Sequence, residues 1–281
     1  MAPMDVSTQQ ALAARLRFYR DLGLTEFYRR AVDPALPVPE SALEEPISSH
    51  VSLPIESPAT APSNVFPEDQ PISSRKPAPP PQQTAGVVPP AEREAALRLI
   101  REEIGECTRC ALHKGRNQLV FADGDPNARL MFVGEGPGAD EDAQGLPFVG
   151  RAGQLLNNMI SAMGLKREEI YIANVVKCRP PGNRTPEPEE ANTCSPFLFR
   201  QIDVVRPEVL VALGATAATY LLGQRQPLAG LRGRIHSVRG CKLIVTYHPA
   251  YLLRDPRQKK EAWADLQIAM KELGLKPPER G

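Results

Sequence analysis

The chain has 281 residues, 42% of them hydrophobic, with 34 Lys and Arg against 33 Asp and Glu. That length allows one or two domains, and a formal net charge of +1 gives no electrostatic case for a polyanion partner from the total alone. The first residues lack a basic and then apolar run, and the longest apolar stretch, 209–223, is interrupted by Gly214, Thr216 and Thr219. No signal peptide and no membrane span are expected, and a soluble, cytoplasmic protein is.

Residues 9–30 carry Leu12, Leu16, Tyr19 and Leu22 at helical spacing, with Ser7 or Thr8 to cap the start and Gly23 to break or kink the helix. Such a helix either packs on the main domain or docks a partner, and the stretch that follows favours docking. Residues 34–90 hold 15 of the 30 prolines, with few aromatics and no periodicity. That density rules out a packed core and predicts a disordered linker, with polyproline II over 77–81. The expected division is therefore a helical segment at 1–33, a linker at 34–90 and a catalytic domain at 91–275. Residues 91–281 hold 27 Lys and Arg against 23 Asp and Glu, a mildly basic balance that permits nucleic-acid contact without requiring it.

Order is expected from Ala91. A helix over 91–106 places Leu97, Ile100 and Ile104 on one face and runs into Cys107-Thr-Arg-Cys110. The apolar run Leu130-Met-Phe-Val133 reads as a buried strand that ends in Gly134-Glu-Gly-Pro-Gly138. A helix follows over 151–163, then a strand over 170–176, a helix over 187–203 carrying Cys194, a strand over 209–213, a helix over 215–222, a strand over 243–247 and a helix over 259–273. This alternation predicts an α/β fold: a three-layer α/β/α sandwich around a four-stranded parallel sheet.

In a parallel sheet the groups at the carboxyl ends of the strands converge at one edge, where a ligand binds. The first strand delivers Gly134, Glu135 and Gly136, the second Asn174 and then Cys178, the fourth His248. A lone His or Asn is usually structural, and it is the joint placement that marks a site. The five cysteines of a cytosolic chain point to metal binding or free thiols before disulfides. Cys107, Cys110, Cys178 and Cys194 would suit a tetrahedral zinc ion or a 4Fe–4S cluster. Their dispersed second pair fits a cluster better than a zinc ribbon, and unliganded cysteines are the third reading. Cys241 has no assigned role.

Five motifs occur in a fixed order. They are Cys107-x-x-Cys110, Gly134-Glu-Gly-Pro-Gly138, Gly145-x-Pro-Phe-Val-Gly150, Asn174-x-x-Lys-Cys-Arg-Pro-Pro-x-Asn-Arg-x-Pro186 and His248-Pro-Ala-Tyr-Leu-Leu-Arg254. Over residues 92–275 the chain resembles the type-4 uracil-DNA glycosylases, the iron–sulfur branch of the uracil-DNA glycosylase superfamily. The resemblance implies a base-excision repair enzyme that hydrolyses the N-glycosidic bond of deoxyuridine in single- or double-stranded DNA and leaves an abasic site. It implies a 4Fe–4S cluster on Cys107, Cys110, Cys178 and Cys194. A monomer is expected, with residues 9–30 as a docking segment for replication or repair proteins.

The same resemblance gives the pocket residues roles. Phe148 stacks on the flipped uracil, a contact of about 1–3 kcal/mol. Asn174 donates to uracil O4 and accepts from N3–H, a pattern that cytosine reverses. His248 donates to O2 as the base leaves with negative charge. Backbone amides of Gly134 to Gly136 complete the cradle. Arg179 and Arg184 contact phosphate, Leu252 fills the gap left by the flipped base and Arg254 touches phosphate; the alternative for Leu252 and Leu253 is a core face. The best-known members carry an aspartate where Gly136 stands and a thymine-excluding tyrosine where Gly138 stands. Glu135 is therefore the nearest carboxylate to orient water, ahead of Asp140 and Glu141, and a dissociative reaction is favoured. Glu141 either fills the tyrosine's space or is a solvated helix-start carboxylate. The competing reading is a uracil-DNA binder without turnover, or one that captures DNA covalently through a histidine on an inserted Lys-Arg-Arg-Ile-His loop. That insertion is missing after Lys177, and Gly233-Arg-Ile-His236 lies on a later connection.

Overall fold

The computed structural model describes residues 77–79, 81 and 86–276. The predicted helix at 9–30 and most of the predicted linker lie outside the described residues. Where the linker is described it touches the domain: the Ala78 N–H donates to Asn192 Oδ1 at 2.9 Å, and Arg239 Nη1 donates to the Pro81 carbonyl at 2.6 Å.

The helices are α1 (Arg93–Ile104), α2 (Ala139–Gln144), α3 (Arg151–Ala162), α4 (Pro188–Val205), α5 (Ala215–Leu222), α6 (Leu228–Leu231), α7 (Pro249–Arg254) and α8 (Lys259–Leu273). The strands are β1 (Asp123–Gly124), β2 (Leu130–Gly134), β3 (Tyr171–Asn174), β4 (Val209–Leu213), β5 (Ile235–Val238) and β6 (Cys241–Thr246). They form one six-stranded sheet in the order β1-β3-β2-β4-β6-β5. The expected four-stranded sheet is thus a six-stranded mixed one. Its central strands β3, β2, β4 and β6 pair in parallel and correspond to the predicted runs, while β1 and β5 add antiparallel edges. Both edges lack the continuous apolar run of a strand buried on two faces. β1 is only two residues long, and β5 alternates between exposed and covered positions. β5 joins β6 through Arg239 and Gly240, both at positive φ, a tight hairpin turn.

Successive side chains along a strand point to opposite faces. Met131, Val133, Leu210, Ala212, Leu243 and Val245 face a core completed by α1, α4 and α5. Leu130, Phe132, Val209, Val211, Leu213 and Ile244 face a second core completed by α3, α7 and α8. Helices therefore cover both faces of the sheet, and a polar cavity can open only at its edge. Among the described residues no helix is long and apolar enough to cross a membrane.

Candidate functional site

The parallel strands bring their carboxyl ends to one side, where a cavity of about 660 Å³ opens, lined by Glu135, Gly136, Phe148, Asn174, Thr216 and His248 among others. Gly134 sits beneath it, in register with Asn174 across the β2–β3 pair. A Cβ at Gly134 would lie 2.3 Å from Asn174 Oδ1 and 2.6 Å from Phe148 Cζ, so only glycine lets these two side chains close over the strand end. Pairing continues past the strands, with the Val175 and Val176 N–H groups donating to the Gly134 and Glu135 carbonyls. The glycine loop and the Asn174 segment are therefore held as one ribbon.

Asn174 is buried, and its Oδ1 is one of two buried side-chain oxygen or nitrogen atoms without a partner among the described residues. A buried carbonyl without a donor costs about 1–3 kcal/mol, which makes Oδ1, at the cavity wall, a candidate acceptor for a ligand. The Asn174 main chain is tied from below by Lys177, whose Nζ donates to the Asn174 carbonyl at 2.8 Å and to Gln201 Oε1 at 2.5 Å. Burial pushes the Lys177 ammonium down to about 8.

Phe148 is buried and has φ +53°, a left-handed conformation that costs a non-glycine residue about 1–2 kcal/mol. Three neighbours hold it there. Arg167 donates to the Phe148 carbonyl at 3.1 Å and the Pro147 carbonyl at 2.6 Å, while Asn157 and Asp123 fix the same guanidinium at 2.8 Å each. Gly153 passes so close that a Cβ there would lie 1.9 Å from the Phe148 carbonyl oxygen. Glu141 accepts from the Val149 and Gly150 N–H groups at 2.9 and 3.0 Å and from the Gly138 N–H at 3.0 Å. Glu141 is accordingly not a solvated helix-start carboxylate; it clamps the two loops that wall the cavity. Motif spacing gave no sign of Arg167, whose partners are 10 to 44 residues away.

His248 caps α7, its Nδ1 accepting from the Ala250 N–H at 3.1 Å, and its ring lies 5.6 Å from that of Phe148 at 34°. With Nδ1 an acceptor, the neutral ring carries its proton on Nε2. Burial, and then the Arg254 cation, hold the imidazole down at about 4. Glu135 accepts from Thr216 Oγ1 at 2.5 Å, a partner the sequence reading missed.

Among the expected DNA-facing residues, Leu252 is overturned: it is 1% exposed and packs in the second core against α3 and α8. One residue further on, Leu253 is 37% exposed. Arg184 lines the cavity, but its fork grips Glu190 at 2.7 and 2.9 Å, so it braces its own loop rather than presenting a free guanidinium. Arg179 donates to Asn183 Oδ1 at 2.7 Å, and Arg254 is exposed on the cavity rim. His236 lies on the edge strand β5, where its Nε2–H donates to the Leu231 carbonyl at 2.8 Å, and does not line the cavity.

Cys107, Cys110, Cys178 and Cys194 line a second, small cavity behind the Lys177 segment. Donors already point at their sulfurs: Arg109 at Cys107 (3.4 Å), Arg116 at Cys178 (3.3 Å) and the Lys177 N–H at Cys194 (3.3 Å). Among the described residues no three His, Cys, Asp or Glu side chains are gathered closely enough for a single metal ion. Cys241 lies elsewhere, buried at the start of β6, and burial pushes its thiol up to about 11.

The family model of the uracil DNA glycosylase superfamily matches residues 121–267. A type-4 uracil-DNA glycosylase of Thermotoga maritima is 48% identical over 165 residues, 58% of this chain and 86% of that protein. Type-4 uracil-DNA glycosylases of Archaeoglobus fulgidus and Saccharolobus solfataricus are 41% and 40% identical, covering 64% of this chain in each case and 94% and 88% of those proteins.

Proposed function

The chain belongs to the uracil-DNA glycosylase superfamily and, within it, to the type-4 group, and from that premise we propose that it excises uracil from DNA in base-excision repair. The observation that carries the reading is the buried, unpartnered Asn174 Oδ1 facing the cavity beside the Phe148 ring. Uracil N3–H is the donor that Oδ1 lacks, and uracil O4 accepts from the same amide. Cytosine presents an acceptor at N3 and a donor at N4, so a fixed Asn174 rejects it. The flipped base stacks on Phe148, and His248 donates from Nε2 to O2 as the C1′–N1 bond breaks, countering the charge of the leaving base. Glu135 is the carboxylate nearest the attacking water. Leu253, rather than Leu252, is the side chain available to fill the stack, with Arg254 on phosphate.

The four cysteines support a 4Fe–4S cluster. They are soft donors around one cavity, faced by cations and an amide that offset thiolate charge. When bound, the cluster supplies a brace joining the Cys107–Cys110 segment, the Cys178 loop and α4. Cys178→Ala is expected to lose iron and sulfide by elemental analysis and to melt about 10 °C lower, because the free energy of binding such a group is folding free energy. Residues 9–30, tethered by the proline-rich stretch, dock a replication or repair protein; the support is their apolar spacing.

The test is incubation of the full chain with a labelled oligonucleotide containing one uracil. Alkali-labile breaks at uracil, and none at cytosine or thymine, support the proposal. Intact DNA refutes turnover, and a denaturation-resistant complex replaces it with covalent capture.

The His248 environment gives a pH prediction. Its folded pKa is about 4 against an ordinary 6.5, so the ring stays neutral in the folded protein down to about pH 4. The unfolded chain takes up that proton first, so the residue's contribution to stability is complete above about pH 6.5 and is lost as pH falls towards 4. Imidazole nitrogen NMR is expected to find the Nε2–H tautomer from pH 5 to 8, and Arg254→Ala to move the titration upwards.

A further inference from the structure

Glu135 and Thr216 are 81 residues apart, yet they meet at the cavity, where the threonine hydroxyl donates to Glu135 Oε2 at 2.5 Å. Glu135 follows β2, and Thr216 is the second residue of α5, which follows the neighbouring parallel strand β4. The next two residues, Ala217 and Ala218, are buried in the first core, whereas Thr216 is half-buried and turned to the cavity. Among the described residues the Glu135 carboxylate has this one side-chain partner, which leaves Oε1 to whatever enters the cavity. The last torsion of a glutamate is broad and roughly two-fold. A donor on one oxygen is what selects a single orientation for the other.

Resting on the glycosylase reading above, we propose that Thr216 is a positioning residue that fixes the Glu135 carboxylate so that Oε1 orients the attacking water. In the step it serves, the C1′–N1 bond breaks and its electron pair leaves on uracil N1. The water oxygen bonds to C1′, and a water proton passes to Glu135 Oε1 and on to solvent. Uracil N1 takes a proton from solvent, so deoxyuridine and water give uracil and an abasic sugar.

The test uses the full chain, with Thr216→Val removing the hydroxyl at nearly constant shape and Thr216→Ser keeping it. Single-turnover uracil release is measured beside affinity for the same oligonucleotide carrying 2′-fluoro-deoxyuridine, which slows cleavage. Thr216→Val is expected to release uracil about ten-fold more slowly with unchanged affinity, because displaced catalytic groups lose rate rather than binding. Thr216→Ser is expected to restore the rate. In a Glu135→Ala background Thr216→Val is expected to add little, since residues that act as a unit are not additive. An unchanged rate in Thr216→Val, a parallel loss of rate and affinity, or full additivity with Glu135→Ala overturns the proposal while the glycosylase reading stands. A wild-type chain that releases no uracil overturns that reading, and the proposal with it.

Discussion

Gly134→Ala is expected to slow uracil release by about 100-fold, the scale on which displacements of catalytic groups by roughly 1 Å act. The added methyl would stand 2.3 Å from Asn174 Oδ1 and 2.6 and 2.8 Å from two carbons of the Phe148 ring. Asn174 and Phe148, the residues proposed to read and to stack on the base, must therefore separate. Neither can give way easily. The Phe148 carbonyl is gripped by Arg167, and the Asn174 carbonyl by Lys177. Overpacking of this kind costs about 1–3 kcal/mol, so a fall in melting temperature of several degrees should accompany the loss. Gly230→Ala is the matched control, since a Cβ there meets nothing within 4 Å. Single-turnover assays on both variants decide the point. Gly134→Ala activity within a few-fold of wild type would mean that the close approach of Asn174 and Phe148 does not shape the pocket.

Asn174→Ala should separate activity from stability. It removes both hydrogen bonds to the base edge, each worth about 1–3 kcal/mol when the partner is left buried, which corresponds to a loss of roughly 10²–10⁴ in kcat/KM. Its effect on folding is expected to be small or even favourable, because Oδ1 is unpartnered before a base arrives. A buried polar atom held without a partner is a cost that a binding site carries for function. The measurement pairs uracil-release kinetics with thermal unfolding of the same preparation. A variant that melts far below wild type would make Asn174 a structural residue, and one that keeps its activity would remove it from the base-reading role.

The two outcomes rest on contacts of different legibility. Gly134, Asn174 and His248 could be placed together once β2, β3 and β6 were taken as parallel, whereas Phe148 could be named only through the family resemblance. That Gly134 must lack a side chain because both Asn174 and Phe148 close on it was not readable, since those contacts span 40 and 14 residues of chain. The same limit applies to Thr216 on Glu135, to Arg167 behind Phe148 and to Glu190 on Arg184. Long polar side chains choose partners in space, and nothing in their local spacing says which.

What the sequence determined by itself is what local burial encodes. Continuous apolar runs marked the strands covered on both faces, an apolar stripe marked α1, and the cysteines and strand-end residues marked the candidate site. The tertiary structure alone decided the sheet edges, because β1 and β5 are half-exposed and carry no such run. It alone decided which of two adjacent leucines is core, since a turn of one residue, about 100° around the helix α7, sends Leu252 inward and Leu253 out. And it alone decided which buried oxygens are left without a partner, Asn174 Oδ1 and Thr246 Oγ1 among the described residues, because hydrogen-bond satisfaction depends on every neighbour at once.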